Sequence, residues 1–102
     1  MNATQLSQEW SEDAKGLHRT FTFADFKTAV GFVVEVARHA DRVDHHPDID
    51  IRYDNVKLTL CTHSAGNTVT EKDRAFAAWV EGFAHASVQF RAEHVFQPAW
   101  EL

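Results

Sequence analysis

The apolar residues of this chain change their spacing three times, and that succession of periods limits the fold more than any other feature. Leu17, Phe21 and Phe23, with Arg19 among them, alternate with His18, Thr20 and Thr22, the two-residue period of a half-buried strand. Phe26, Ala29, Val30, Val33, Ala37, Ala40 and Val43 then recur at intervals of three and four, the stripe of an amphipathic helix. Ile49, Ile51 and Tyr53 return to alternation, as do Val56, Leu58, Leu60 and Thr62 after an Asp54-Asn55 interruption. Phe76, Trp79, Val80, Phe83, Ser87 and Phe90 trace a second helical face. Trp10 to Asp13 adds a further short strand, turning at Ala14-Lys15-Gly16. The order is therefore strand, strand, helix, strand, strand, helix. Helices covering one face of a four-stranded antiparallel sheet make an α+β, two-layer domain.

Local signals set the boundaries. Asp25 stands where a carboxylate favours the positive end of a helix dipole. Pro47 excludes the α region for His46, so the first helix must end by about Asp44 or His45. A two-residue Asp54-Asn55 loop between alternating runs predicts a hairpin with a type I′ turn. Thr70 and Asp73 have capping-box spacing, with Asp in place of the usual Glu. Arg19 interrupts an otherwise apolar strand face, a position best tolerated near a sheet edge or an interface.

At 102 residues and 44% hydrophobic composition, the chain is read as one domain, residues 1–102, with enough apolar material for a core. Fifteen acidic against ten basic side chains, for a net charge of −5, argue against a phosphate-backbone binder and so against nucleic acid. A lone cysteine, Cys61, allows no internal disulfide and no paired-thiol zinc motif. No apolar run approaches the roughly 20 residues of a membrane helix, and no basic-then-apolar leader opens the chain. The expectation is a soluble, cytoplasmic domain without a membrane role. The unusual count is seven histidines.

Three of these fall where strand pairing should gather them. His45 and His46 close the first helix and begin the extended segment after it, while His63 ends the last strand. In an antiparallel hairpin the start of one strand neighbours the end of the next, so His46 and His63 should converge at one sheet edge. Asp73 would follow in the first turn of the second helix. Imidazoles exchange protons near neutral pH, which suits general acid–base chemistry. His18, His39, His85 and His94 read as ordinary structural or solvated histidines. Tyr53 reads as a hairpin packing residue, and Trp79 and Phe83 as core or subunit interface.

Asp41, His45, His46, Pro47, Tyr53, His63 and Asp73 together form a spacing that resembles the pterin-4a-carbinolamine dehydratase family. Similarity also runs through Phe23-Ala24-Asp25-Phe26, Val56 to Thr62, and Ala75, Ala78 and Val80, covering roughly residues 10 to 85. The resemblance implies dehydration of a 4a-hydroxytetrahydropterin to the quinonoid dihydropterin, with no redox cofactor and no metal. It implies catalytic roles for His45, His46, His63 and Asp73, and a pterin site lined by His45, His46, Pro47 and His63. Asp73 would orient one imidazole, although capping alone also explains its spacing. Relatives often carry Glu-Trp after His-His-Pro, where this chain has Asp48-Ile49, and the loop from His63 to Asp73 is one residue longer than is familiar.

Two alternatives stand beside that reading. Three histidines and Asp73 could satisfy zinc by ligand type. Dehydratase-like domains also serve as dimerising coactivators and as chaperone-like factors in Rubisco assembly, which leaves room for a protein partner. A one-sided sheet and an apolar helix face favour a homodimer or homotetramer.

Overall fold

The structure is a computed structural model that describes residues 10–86. Strand β1 (Ser11–Asp13) turns into β2 (Gly16–Thr22), followed by helix α1 (Phe26–Val43). A hairpin of β3 (Asp48–Arg52) and β4 (Asn55–Leu60) leads through a short 3₁₀ turn, His63–Ala65, into helix α2 (Glu71–Ala86). The four strands form one antiparallel sheet in the order β1-β2-β4-β3. This is the expected α+β architecture. Ser87, Phe90, His94 and the tail beyond lie outside the described residues.

Register follows from the alternation. Leu17 lies opposite Leu60, Arg19 opposite Leu58, and Phe21 opposite Val56. These side chains share the face on which both helices pack, so Leu17, Phe21, Val56, Leu58 and Leu60 meet Phe32 and Val36 of α1 and Phe76 and Val80 of α2 in one core. Phe32 sits 4.9 Å and 5.0 Å, centroid to centroid, from Phe21 and Phe23. Its complete burial contributes about 2–3 kcal/mol.

Helix α1 is rotated from the expected stripe. It buries Thr28, Ala29, Gly31, Phe32, Val36, His39 and Ala40, whereas Phe26 is 52% and Val43 46% exposed. Two apolar stripes of the same period run along this helix, and spacing alone does not choose between them. The choice falls to Phe32, whose ring fills the space beside Phe21 and Phe23. Asp25 is the N-cap itself, its carboxylate accepting the Thr28 amide at 2.8 Å.

The hairpin loop is Tyr53-Asp54, one residue earlier than expected, because Arg52 pairs with Asn55. Tyr53 has φ of 55° and Asp54 is not in the left-handed region, so the turn is not type I′, which requires both. Tyr53 accordingly stands at the tip, 69% exposed, and is not the hairpin packing residue expected. Arg19 keeps its place on the inner face because α2 supplies a partner. Its guanidinium pairs with Glu81, which also accepts the Trp10 indole N–H at 2.9 Å, and lies 4.1 Å from the centre of the Phe21 ring.

The β1–β2 turn has one strict requirement. Gly16 has φ of 147°, and a Cβ there would stand 2.5 Å from the Leu60 carbonyl oxygen. That oxygen is backbone of the central strand β4 and cannot step aside. Gly16→Ala is therefore expected to cost about 2–4 kcal/mol. Thermal unfolding followed by circular dichroism should show a midpoint lowered by more than about 8 °C; an unchanged midpoint would contradict the account.

Candidate functional site

The end of α1 is built to turn a side chain back toward α2. Asp44 caps the helix in the left-handed conformation, with φ 54° and ψ 47°, and both its amide and that of His45 reach the Ala40 carbonyl. Pro47 then holds the chain extended into β3. Asp48 pairs with Thr59 on β4, so continuing that register backwards brings His46 level with Cys61 and His45 level with Thr62. His63 follows at once, as the first residue of the 3₁₀ turn rather than the last of the strand.

Asp73 joins these segments. It is the third residue of α2 and fully buried. Its Oδ2 accepts the Thr70 amide at 2.9 Å, completing the capping box, while the Thr70 hydroxyl accepts the Lys72 amide at 3.3 Å. The same Oδ2 accepts the Thr62 hydroxyl at 2.7 Å, and Oδ1 accepts the His45 Nε2–H at 2.6 Å. Since Thr62 donates its one proton to the carboxylate, the 2.6 Å Thr62–Thr70 contact is a donation from Thr70. A cooperative chain thus runs from the Lys72 amide through two hydroxyls to the carboxylate. Capping and contact with an imidazole, which the sequence left as alternatives, coexist in one side chain.

Burial alone would raise the Asp73 pKa. The hydrogen bonds from His45, the Thr70 amide and the Thr62 hydroxyl outweigh it and hold the carboxyl below its usual range. An ionised Asp73 only accepts, so the His45 Nε2 carries the proton and Nδ1 is the atom left for exchange.

The structure brings His45, His46 and His63 onto one open cavity of about 320 Å³. Asp44, Cys61, Thr62, Ser64 and Lys72 complete its lining. His46 donates Nε2–H to the Asp41 carboxylate at 3.0 Å on the surface, a pair that solvent screens. The His63 ring is exposed and has no hydrogen-bond partner among the described residues. Burial pushes the Cys61 thiol pKa up, as do the Asp48 and Asp73 carboxylates, which keeps it a neutral thiol rather than a nucleophile. Among the described residues, no three of His, Cys, Asp and Glu converge as a metal ion would require. No helix among the described residues is long and apolar enough to cross a membrane. In the loop before Asp73, Gly66 and Asn67 adopt positive φ values of 80° and 62°.

Of the two ordinary roles expected for His39, structural or solvated, the structure shows the first: it is buried and lies flat against Trp79, with ring centroids 3.9 Å apart. It stands on the helix face that α1 turns inward.

The family model for pterin 4 alpha carbinolamine dehydratase matches residues 1–83. A provisionally named pterin-4-alpha-carbinolamine dehydratase of Chloroflexus aurantiacus is 49% identical over 81 residues, 78% of this chain and 86% of that one. The chain belongs to the pterin-4a-carbinolamine dehydratase family. Solved relatives share its fold. A transcriptional coactivator/pterin dehydratase from Brucella melitensis superposes with a TM-score of 0.69 at 38% identity, covering 76% of this chain and 83% of that one. A pterin dehydratase-like protein identified as a RuBisCO assembly factor of the alpha-carboxysome gives 0.64 at 28% identity, covering 78% and 94%.

In this dehydratase-family domain, Asp73 couples stability to pH. Its folded pKa lies below the unfolded value of about 3.8, so its contribution is complete above that value and disappears as pH falls through the folded pKa. Asp73→Asn should cost about 2–4 kcal/mol at neutral pH. Urea unfolding of both proteins should show the gap narrowing below pH 3.8; a gap independent of pH would refute the assignment.

Proposed function

We propose that the chain dehydrates a 4a-hydroxytetrahydropterin to the quinonoid dihydropterin and water, in tetrahydropterin recycling. The carrying observation is one cavity lined by three imidazoles, one of which is anchored on a buried carboxylate. The reaction delivers a proton to the C4a hydroxyl, which leaves as water, and removes a proton from the neighbouring N5 as the C4a–N5 double bond forms. Two groups that each exchange one proton near neutral pH are sufficient for it. In this reading His45, His46 and His63 bind the pterin beside Pro47, and two of them serve as acid and base. Asp73 acts through His45, fixing its tautomer and orientation. Family membership supports the dehydratase class, and the intact histidine set favours catalysis over a purely non-enzymatic assembly or coactivator role.

The decisive measurement is stopped-flow dehydration of the carbinolamine by wild type, His45→Ala, His46→Ala and His63→Ala. Loss of an acid or base should slow the reaction by about 10²-fold or more. Equal rates in all four proteins would end the catalytic reading. No acceleration over buffer, together with stoichiometric recovery of a protein partner, would establish the interaction module instead.

We also propose that the chain self-associates as a homodimer or homotetramer, supported by Phe26 and Val43, which α1 leaves exposed. Sedimentation equilibrium at micromolar concentration should give a mass two or four times that of the chain; a monomer would overturn this.

A further inference from the structure

A second cavity of about 320 Å³ adjoins the first, and the two share His45 and Lys72 in their linings. The rest of its wall differs in kind. It consists of Val43, Ala75, Phe76, Trp79 and His39. The aromatic part is fixed in place. Trp79 stacks on His39 with the planes 1° from parallel, and on Phe83 at 5.1 Å with the planes 5° apart. Phe76 meets His39 edge-on at 4.9 Å and lies 6.3 Å from the His45 ring. Arg42 donates to His39 Nδ1 at 3.2 Å. Burial and the Arg42 charge hold His39 below its usual pKa, so it remains a neutral ring. A preorganised, mainly uncharged annex therefore opens beside the imidazole that Asp73 anchors.

The chemistry of the proposed substrate says what such an annex would receive. C4a, N5 and C6 are consecutive ring atoms, so a C6 substituent leaves the ring two bonds from the reacting carbon. With the C4a hydroxyl in the imidazole cavity, a substituent only two bonds away is within reach of the wall the two cavities share. We infer that the cavity walled by Phe76 and Trp79 is the subsite for the C6 substituent, and that it selects short alkyl substituents over polyhydroxylated ones. The inference rests on the dehydratase reading and adds the substrate class. Val43, Ala75 and Phe76 offer a hydroxyl no partner in place of its water, whereas an alkyl group gains by the transfer. The wall's polar groups belong instead to His39, which Arg42 already engages, to the Trp79 indole, and to the His45 and Lys72 shared with the first cavity.

The test pairs binding with turnover. Calorimetry would use 7,8-dihydropterins bearing hydrogen, methyl or dihydroxypropyl at C6, and stopped-flow the matching 4a-carbinolamines, with wild type, Ala75→Phe and Trp79→Ala. Wild type should bind the methyl compound about tenfold more tightly than either of the others. Ala75→Phe, which fills the cavity from an exposed helical position, should reduce that preference to within about twofold, with KM moving more than kcat. Circular dichroism verifies folding, and Ala75→Leu replaces the larger substitution if it fails to fold. A wild type without preference, or a preference that survives both Ala75→Phe and Trp79→Ala, overturns the subsite while leaving dehydration standing. Absence of both turnover and dihydropterin binding removes the dehydratase reading, and the subsite with it.

Discussion

Everything near the candidate site depends on a carboxylate that water does not reach. Asp73 accepts from three different segments: the start of its own helix, the stretch just after the central strand β4, and the segment that follows the α1 cap. Desolvating an unpaired carboxylate would cost several kcal/mol, so the fold is favourable only when all three donors arrive together. That condition makes the site and the tertiary structure one object. The α1 terminus cannot shift without withdrawing the His45 N–H. Nor can the β4–α2 loop reorganise without withdrawing Thr62 or the Thr70 amide.

The sheet delivers those donors by ordinary means. β2 and β4 are the central strands, and their inner faces carry the apolar alternation that both helices cover. β3, at the edge, pairs with β4 and with no other strand among the described residues; Ile49 is half-buried against the core and Ile51 more than one-third exposed. Its contribution is geometric: the Asp48–Thr59 pairing fixes where the chain enters from Pro47, and hence where His45 and His46 stand. At the other end of the core, Glu81 accommodates Arg19 among apolar neighbours through an ion pair and the Trp10 indole. Here too a largely covered charge is tolerated because several segments converge on it.

How much of this was legible in the sequence depends on whether the signal was local. The order of elements, the α1 terminus before Pro47 and the Thr70–Asp73 cap follow from periodicity, ring sterics and spacing, all of which act within a few residues. Convergence of His46 and His63 was also legible, because antiparallel register is simple arithmetic once the hairpin is placed. The buried face of α1 was not. Val30 and Phe32 both belong to stripes of acceptable period, and only the space beside Phe21 and Phe23, made by another element, distinguishes them. For the same reason the sequence did not say whether His39 would be structural or solvated, since its partner Trp79 lies forty residues away. The one-residue slip at the hairpin had a different origin: Tyr53 adopts a positive φ that its side chain disfavours, so the local rule pointed to Asp54-Asn55.

Restraint is unequally divided among the three imidazoles. His45 is held by a buried acceptor and packed near Phe76, whereas the rings of His46 and His63 are exposed. In the proposed reaction the substrate must therefore be brought to His45, since that ring cannot move to meet it without breaking the Asp73 contact. His63, with its freer ring, can adjust to a proton whose position changes as C4a flattens. A fixed group and an adaptable one suit a dehydration in which bonding changes at two adjacent ring atoms. In that proposal the anchored imidazole would set the pose, and a less restrained one would follow the changing geometry. The aromatic annex strengthens the same logic. A substituent held against Phe76 and Trp79 would constrain the pterin from the side of His45, placing both fixed contacts on one edge of the substrate and leaving the other free to change shape.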